Sequence, residues 1–243
     1  MSKQTAIQVS SVTKSFGENE VIKDCSMCIE RGTIYGFLGA NGAGKTTVFK
    51  LLTGLLTPDS GGIEILGFNM LQNCDKMLSQ IGSLIEAPTF YEHLSAHKNL
   101  EIHLEYMGVD GFGVDKALKI VGLSDTKEKA ASKFSLGMRQ RLGIARALIH
   151  QPKILILDEP INGLDPMGIR AMRELFLSLA KEHGITILLS SHILSEIEHV
   201  ADKIGVIVAG KIVCETDLAQ VKAEYKNSLE DYFFTIMSEG KQL

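Results

Sequence analysis

Four short stretches of this chain are apolar with almost no interruption: "GTIYGFLG" (Gly32 to Gly39), "KILILDE" (Lys153 to Glu159), "ITILLSS" (Ile185 to Ser191) and "IGVIVAG" (Ile204 to Gly210). "ILIL" and "ITILL" do not alternate, so they read as strands covered on both faces, which predicts a mainly parallel sheet. Helical patterns lie between them: Ile169, Met172, Leu175, Phe176 and Leu179 share one face of a helix that ends at Gly184, before the next strand. The N-terminal part behaves differently. "TAIQVSSVTKSFG" and "EVIKDCSMCIERG" alternate, with Cys25, Met27 and Ile29 on one side, and predict an antiparallel β layer. From Pro88 to His150 the pattern is helical with no convincing strand. The expectation is one α/β domain, with residues of about 1–87 and 151–215 as its core. Residues of about 88–150 form an inserted helical subdomain, and 216–243 a helical tail to which no role attaches.

Composition narrows the class. The 243 residues are 45% hydrophobic and can bury one sizeable core. A formal charge of −4, from 25 basic and 29 acidic residues, leaves no basic footprint for nucleic acid. The N-terminus lacks the apolar centre of a signal peptide, and no stretch approaches the roughly 20 apolar residues that span a bilayer. A cytoplasmic chain is expected, its four cysteines free and buried. Cys25 and Cys28 form a C-x-x-C, but zinc would need a second pair, and Cys74 and Cys214 stand alone. His93 and His97, four apart, could share a helical face and hold a metal, yet no H-E-x-x-H accompanies them. Arg139, Arg141 and Arg146 fall on one helix and read as a solvated or anion-facing side.

The chemistry concentrates at "GANGAGKTT", Gly39 to Thr47, which satisfies G-x-x-x-x-G-K-[ST] with Gly39, Gly44, Lys45 and Thr46. A predicted strand precedes it. A helix follows, with Val48, Phe49, Leu51, Leu52 and Leu55 as its apolar residues and Pro58 beyond its end. Glycines let backbone amides turn toward phosphate oxygens, and a helix N-terminus presents unpaired N–H groups to an anion. The backbone of Ala40, Asn41, Gly42, Ala43 and Thr47 belongs to the same cradle. Lys45 would reach the terminal phosphates of the ligand as a point charge, and Thr46 would coordinate Mg²⁺. "ILILDEP" supplies two acids at the end of a buried strand: Asp158 as a metal ligand and Glu159 to polarise an attacking water. The expected fold is a P-loop NTPase (RecA-like) core.

With these motifs, "KFSLGMRQRLGIARALI" (Lys133 to Ile149) resembles the signature segment of ATP-binding-cassette (ABC) ATPases. "INGLD" (Ile161 to Asp165) resembles their D-loop, "SSH" (Ser190 to His192) their switch histidine, and Phe16 stands where an aromatic stacks on adenine. The resemblance implies a head-to-tail dimer formed with ATP, either of two copies or with a related ATPase subunit, in which Ser135 and Gly137 complete the partner's site. It places His192 beside the γ-phosphate and Asp165 at the nucleotide interface. Two positions depart from the family pattern: Leu136 and Met138 replace the first glycine and the terminal glutamine of L-S-G-G-Q.

The third departure is Glu86. At the end of "IGSLI" the family carries a glutamine that reaches Mg²⁺ and the attacking water, next to the contact with membrane subunits. Glutamate there, with "FSLGM", is similar to the bacitracin-resistance and lantibiotic-immunity subgroup. That implies separately encoded integral permease subunits, attachment to the inner face of the cell membrane, and export of a peptide antibiotic. For Glu86 the resemblance implies a coupling, metal-positioning or catalytic role. The competing expectation is a soluble ABC ATPase acting on ribosomes or DNA, which would need basic surface.

Overall fold

A computed structural model describes residues 4–108, 113–126, 128–225 and 229–239. Strands β1 (Thr5–Phe16) and β2 (Asn19–Glu30) lead to β3 (Ile34–Leu38), whose end runs through the glycine-rich loop into helix α1 (Lys45–Leu52). Next come β4 (Ser60–Ile65), β5 (Phe68–Asn69), α2 (Cys74–Leu78) and β6 (Ile81–Leu84). Helices α3 (Ala96–Met107), α4 (Val114–Ile120) and α5 (Leu136–Leu148) separate β6 from β7 (Ile154–Leu157). The chain continues as α6 (Pro166–Lys181), β8 (Thr186–Ser191), α7 (Leu194–Ile197), β9 (Lys203–Val208), β10 (Lys211–Asp217), α8 (Leu218–Glu224) and α9 (Leu229–Glu239).

Two sheets result. The larger has the order β10-β9-β3-β8-β7-β6, parallel throughout except for β10 against β9. The smaller, β2-β1-β4-β5, is antiparallel. The unbroken apolar strands are explained by two cores. In β7, Ile154 and Ile156 pack into the cluster under the antiparallel sheet and α1, while Leu155 and Leu157 pack into the cluster under α5 and α6. In β3, Tyr35 and Phe37 face the first core and Ile34 and Leu38 the second, with Phe37 stacked on Phe49 of α1 at 5.9 Å between centroids. Each face of the parallel sheet is dry, so alternation has no place in its central strands. In β2 the alternation is real: Cys25, Met27 and Ile29 are buried, with polar neighbours between them. Burial pushes the Cys25 thiol up to about 12, which leaves it inert beside Cys28. The other three cysteines are free but only half-buried.

A polar knot joins the sheets. The Tyr35 hydroxyl (3.1 Å) and the Cys28 N–H (3.2 Å) both donate to Glu215 Oε1, and Lys203 Nζ lies 3.1 Å away. Gly205 is required beside it, because a Cβ there would lie 2.1 Å from the Tyr35 hydroxyl.

Between β6 and β7 the described residues form helices joined by loops, with no strand apart from an isolated bridge of Ser95 with Ala130. The strand β6 abuts α5 closely enough that a Cβ on Gly82 would sit 2.0 Å from the Ala147 carbonyl oxygen. Several expectations need correction here. Helix α1 stops at Leu52: the Thr53 hydroxyl bonds back to Phe49 O, Gly54 turns left-handed (φ 69°), and Leu55 lies outside the helix, exposed. His93 and His97 share no helical face, since Ser95 caps α3 and only His97 lies in it. Among the described residues no three or more His, Cys, Asp or Glu side chains are grouped so as to hold a metal, as zinc at His93 and His97 would need. Arg146 is not a solvated residue: it donates to Thr89 O at 2.8 Å and lies over the Phe90 ring at 5.1 Å. Arg139 makes two 2.6 Å hydrogen bonds to the Glu92 carboxylate. In the tail, residues 226–228 and 240–243 fall outside the described residues.

Candidate functional site

In open parallel sheets, ligands bind beyond the carboxyl ends of the strands. Those ends carry the candidate residues in spatial order. β3 delivers the glycine-rich loop, its neighbour β8 delivers His192, β7 delivers Asp158 and Glu159, and β6 leads to Glu86. The parallel register aligns them, pairing Leu38 with Ser191, Leu157 with Leu189 and Leu84 with Leu157.

Gly44 takes φ 109°, a conformation L side chains rarely adopt, and a Cβ there would meet Ile22 at 2.7 Å. This turn starts α1 directly beneath the loop, so the first N–H groups of the helix face the cradle. Ala40, Asn41 and Gly42 are exposed at its rim, while Thr46 and Thr47 are half-buried. The buried Lys45 ammonium donates to Gly39 O (2.7 Å) and Ala40 O (3.3 Å) and lies 3.2 Å from Glu159 Oε1.

The two acids are held differently. Asp158 accepts from the Thr46 hydroxyl at 2.7 Å and from the Ser190 hydroxyl at 2.6 Å. Glu159 sits in a left-handed conformation (φ 47°), uncommon for a residue with a side chain. Its N–H donates to Ser190 Oγ at 2.8 Å, and its Oε2 lies 2.9 Å from His192 Nδ1. Glu159 Oε1 is buried without a hydrogen bond; the nearby Lys45 supplies charge but not alignment. The oxygen-only pair of Thr46 and Asp158, with that unbonded carboxylate oxygen next door, fits a small hard cation that keeps several waters.

Ser190 was not singled out in the sequence, yet it ties both acids together and is fully buried. The available signal was a hydroxyl inside an otherwise apolar strand. Lys50 was also missed: its Nζ is 2.6 Å from Glu86 Oε1. Glu86 itself is exposed and left-handed (φ 63°).

The remaining candidates stand at helix starts and a strand end. Ser135 caps α5, accepting from Met138 N at 3.3 Å, so its own hydroxyl proton is not used by the cap. Asp165 caps α6, accepting from Gly168 N at 2.7 Å. Gly137 lies against Leu164, and Leu136 against Gly163, which brings the segments of Ser135 and Asp165 together within one chain. Phe16, at the end of β1, is exposed, with Lys14 Nζ 5.8 Å from its ring centroid.

A model of the ABC transporter family matches residues 22–162, more than half of the chain, from within β2 to the turn beyond Glu159. The chain belongs to the ABC transporter family. Among curated relatives, the bacitracin transport ATP-binding protein BcrA of Bacillus licheniformis is 49% identical over 227 residues, covering 93% of this cassette and 74% of that protein. The lantibiotic transport ATP-binding protein SrtF of Streptococcus pyogenes is 44% identical over 211 residues, covering 87% of this chain and 90% of its own. Among solved structures, cbiO1 from Clostridium perfringens, part of the ABC transporter complex cbiONQ, superposes with a TM-score of 0.83 at 29% identity, covering 91% of this chain and 92% of that one. The cassette is therefore an ATP-binding, ATP-hydrolysing domain on a P-loop NTPase fold. Among the described residues no helix is long and apolar enough to cross a membrane.

Proposed function

We propose that this cassette drives export of a peptide antibiotic of the bacitracin or lantibiotic class, with separately encoded permease subunits, from the inner face of the cell membrane. The observation that carries the reading is the identity of 44–49% with bacitracin and lantibiotic transport ATP-binding proteins over most of the chain. Exposed Tyr91 and Tyr106, beside a cavity of about 320 Å³ next to the Glu86 loop, support a partner contact on that side.

In this reading Lys45 exchanges its loop carbonyls for the terminal phosphates of ATP, whose triphosphate lies along the amides of Gly39 to Thr47. Thr46 and Asp158 would hold Mg²⁺, with Glu86 as a metal-positioning acid on the neighbouring strand end. The ion would neutralise charge on the β- and γ-phosphates. Glu159 takes a proton from the water as its oxygen bonds to the γ-phosphorus, and the bond to the ADP oxygen breaks. His192, hydrogen-bonded to Glu159, aims that carboxylate and contributes a donor to the γ-phosphate. Phe16 stacks on adenine. Ser135 and Gly137 of a second copy, or of a related subunit, close the site from the far side, with Asp165 at the seam. ADP and phosphate then leave, and the dimer opens.

The test is affinity purification of the tagged chain from its native membrane, paired with antibiotic sensitivity of a deletion strain. Co-purifying integral membrane subunits and increased sensitivity are expected. Recovery of ribosomes or DNA with unchanged sensitivity would overturn the transport reading.

A further inference from the structure

One helix faces three acids. From α1, Lys45 approaches Glu159 (3.2 Å), Thr46 bonds Asp158 (2.7 Å) and Lys50 pairs with Glu86 (2.6 Å). Thr46 and Lys50 are four residues apart, so they lie on the same side of the helix, one turn from each other. We propose that Lys50 is the positioning residue for Glu86. Its ammonium holds that carboxylate on the phosphate-loop helix and limits how much negative charge reaches the metal-side cluster of Asp158 and Glu159. The inference rests on the Mg²⁺–nucleotide reading of the site.

Three observations support it. The Nζ–Oε1 separation of 2.6 Å is that of a short, charge-assisted hydrogen bond. Glu86 adopts a left-handed backbone that side chains avoid, and such strain persists only where the surroundings over-determine it. The loop beyond it is pinned again, by Arg146 to Thr89 O and by the doubly bonded Arg139–Glu92 pair, so its path between α1 and α5 is fixed at three points. An exposed ion pair adds little to stability, and its effect here is to aim a charge. Glu86 follows β6, and the neighbouring β7 ends at Asp158 and Glu159, so a third carboxylate on this side of the sheet adds repulsion unless a cation such as Lys50 compensates it.

The test measures nucleotide affinity by calorimetry at stepped Mg²⁺ concentrations and in EDTA, for the full chain. Lys50→Gln frees the Glu86 carboxylate for the metal, so the Mg²⁺ midpoint should fall at least threefold while affinity in EDTA changes less than twofold. Lys50→Arg, which keeps the pair, should stay within twofold of wild type. In a Glu86→Gln background, Lys50→Gln should shift the midpoint less than twofold. An equal shift in both backgrounds, or none in either, would overturn the assignment while leaving the ATPase reading intact. Failure of the wild-type chain to bind nucleotide would overturn both.

Discussion

Replacing Ser190 by alanine isolates the contact that joins the two acids. Its hydroxyl donates to Asp158 Oδ1 and accepts from Glu159 N, and the residue is fully buried, so water cannot take its place. A hydrogen bond to a charged group contributes about 1.5–3 kcal/mol, and an orphaned buried N–H costs about 1–3 kcal/mol. Because Thr46 still holds the other Asp158 oxygen, the two losses do not add in full, and about 2–4 kcal/mol of stability should disappear. For a chain of this size that lowers the melting temperature by about 5–15 °C. If Ser190 keeps the same bond in the transition state, kcat should fall about tenfold or more, while nucleotide affinity in EDTA, set by the phosphate loop, stays within about twofold. Thermal melts, calorimetry and a steady-state phosphate-release assay measure the three quantities. A stability change under about 0.5 kcal/mol with wild-type kcat would refute the reasoning.

Lys45→Ala should weaken nucleotide binding about tenfold or more by calorimetry, and unchanged affinity would count against the phosphate-loop assignment. Gly205→Ala forces a Cβ onto the Tyr35 hydroxyl and should cost about 1–3 kcal/mol, markedly less in a Tyr35→Phe background; equal costs in both would show the clash is relieved elsewhere. Burial and the neighbouring charges of Arg146 and His150 hold His103 at about 4, below its ordinary 6.5. Between these values the unfolded chain binds a proton the folded chain refuses, so this contribution to stability is intact above about 6.5 and lost as pH falls toward 4. His103→Gln should flatten melting temperature against pH in that window; an unchanged slope would assign it to other groups.

Much of the fold was legible because burial leaves a pattern. Both faces of β7 and β8 are covered, and "ILIL" and "ITILL" say so. β10 was overlooked because Lys211–Asp217 is a half-exposed edge strand, and β4 because Gly61 and Gly62 break its alternation. The end of α1 was set by a threonine and a left-handed glycine, which outweighed an apolar Leu55 in phase. His93 failed as a helical residue because the Ser95 cap lies between it and α3. Charge pairs are the least legible feature. Lys50 and Glu86 are 36 residues apart, Arg139 and Glu92 47 apart, and neither pairing follows from any periodicity. Ser190 illustrates the opposite case, a polar residue in a dry strand whose position alone signals a partner.

The cluster of Lys45, Asp158, Glu159 and His192 as the seat of hydrolysis is tested most directly with Glu159→Gln. ATP turnover, nucleotide affinity and mass in solution by light scattering should be measured on the same preparation with Mg²⁺. The account predicts affinity within about twofold of wild type, turnover lowered about a hundredfold or more, and a chain of doubled mass when ATP is present. Wild-type turnover in that variant would contradict it.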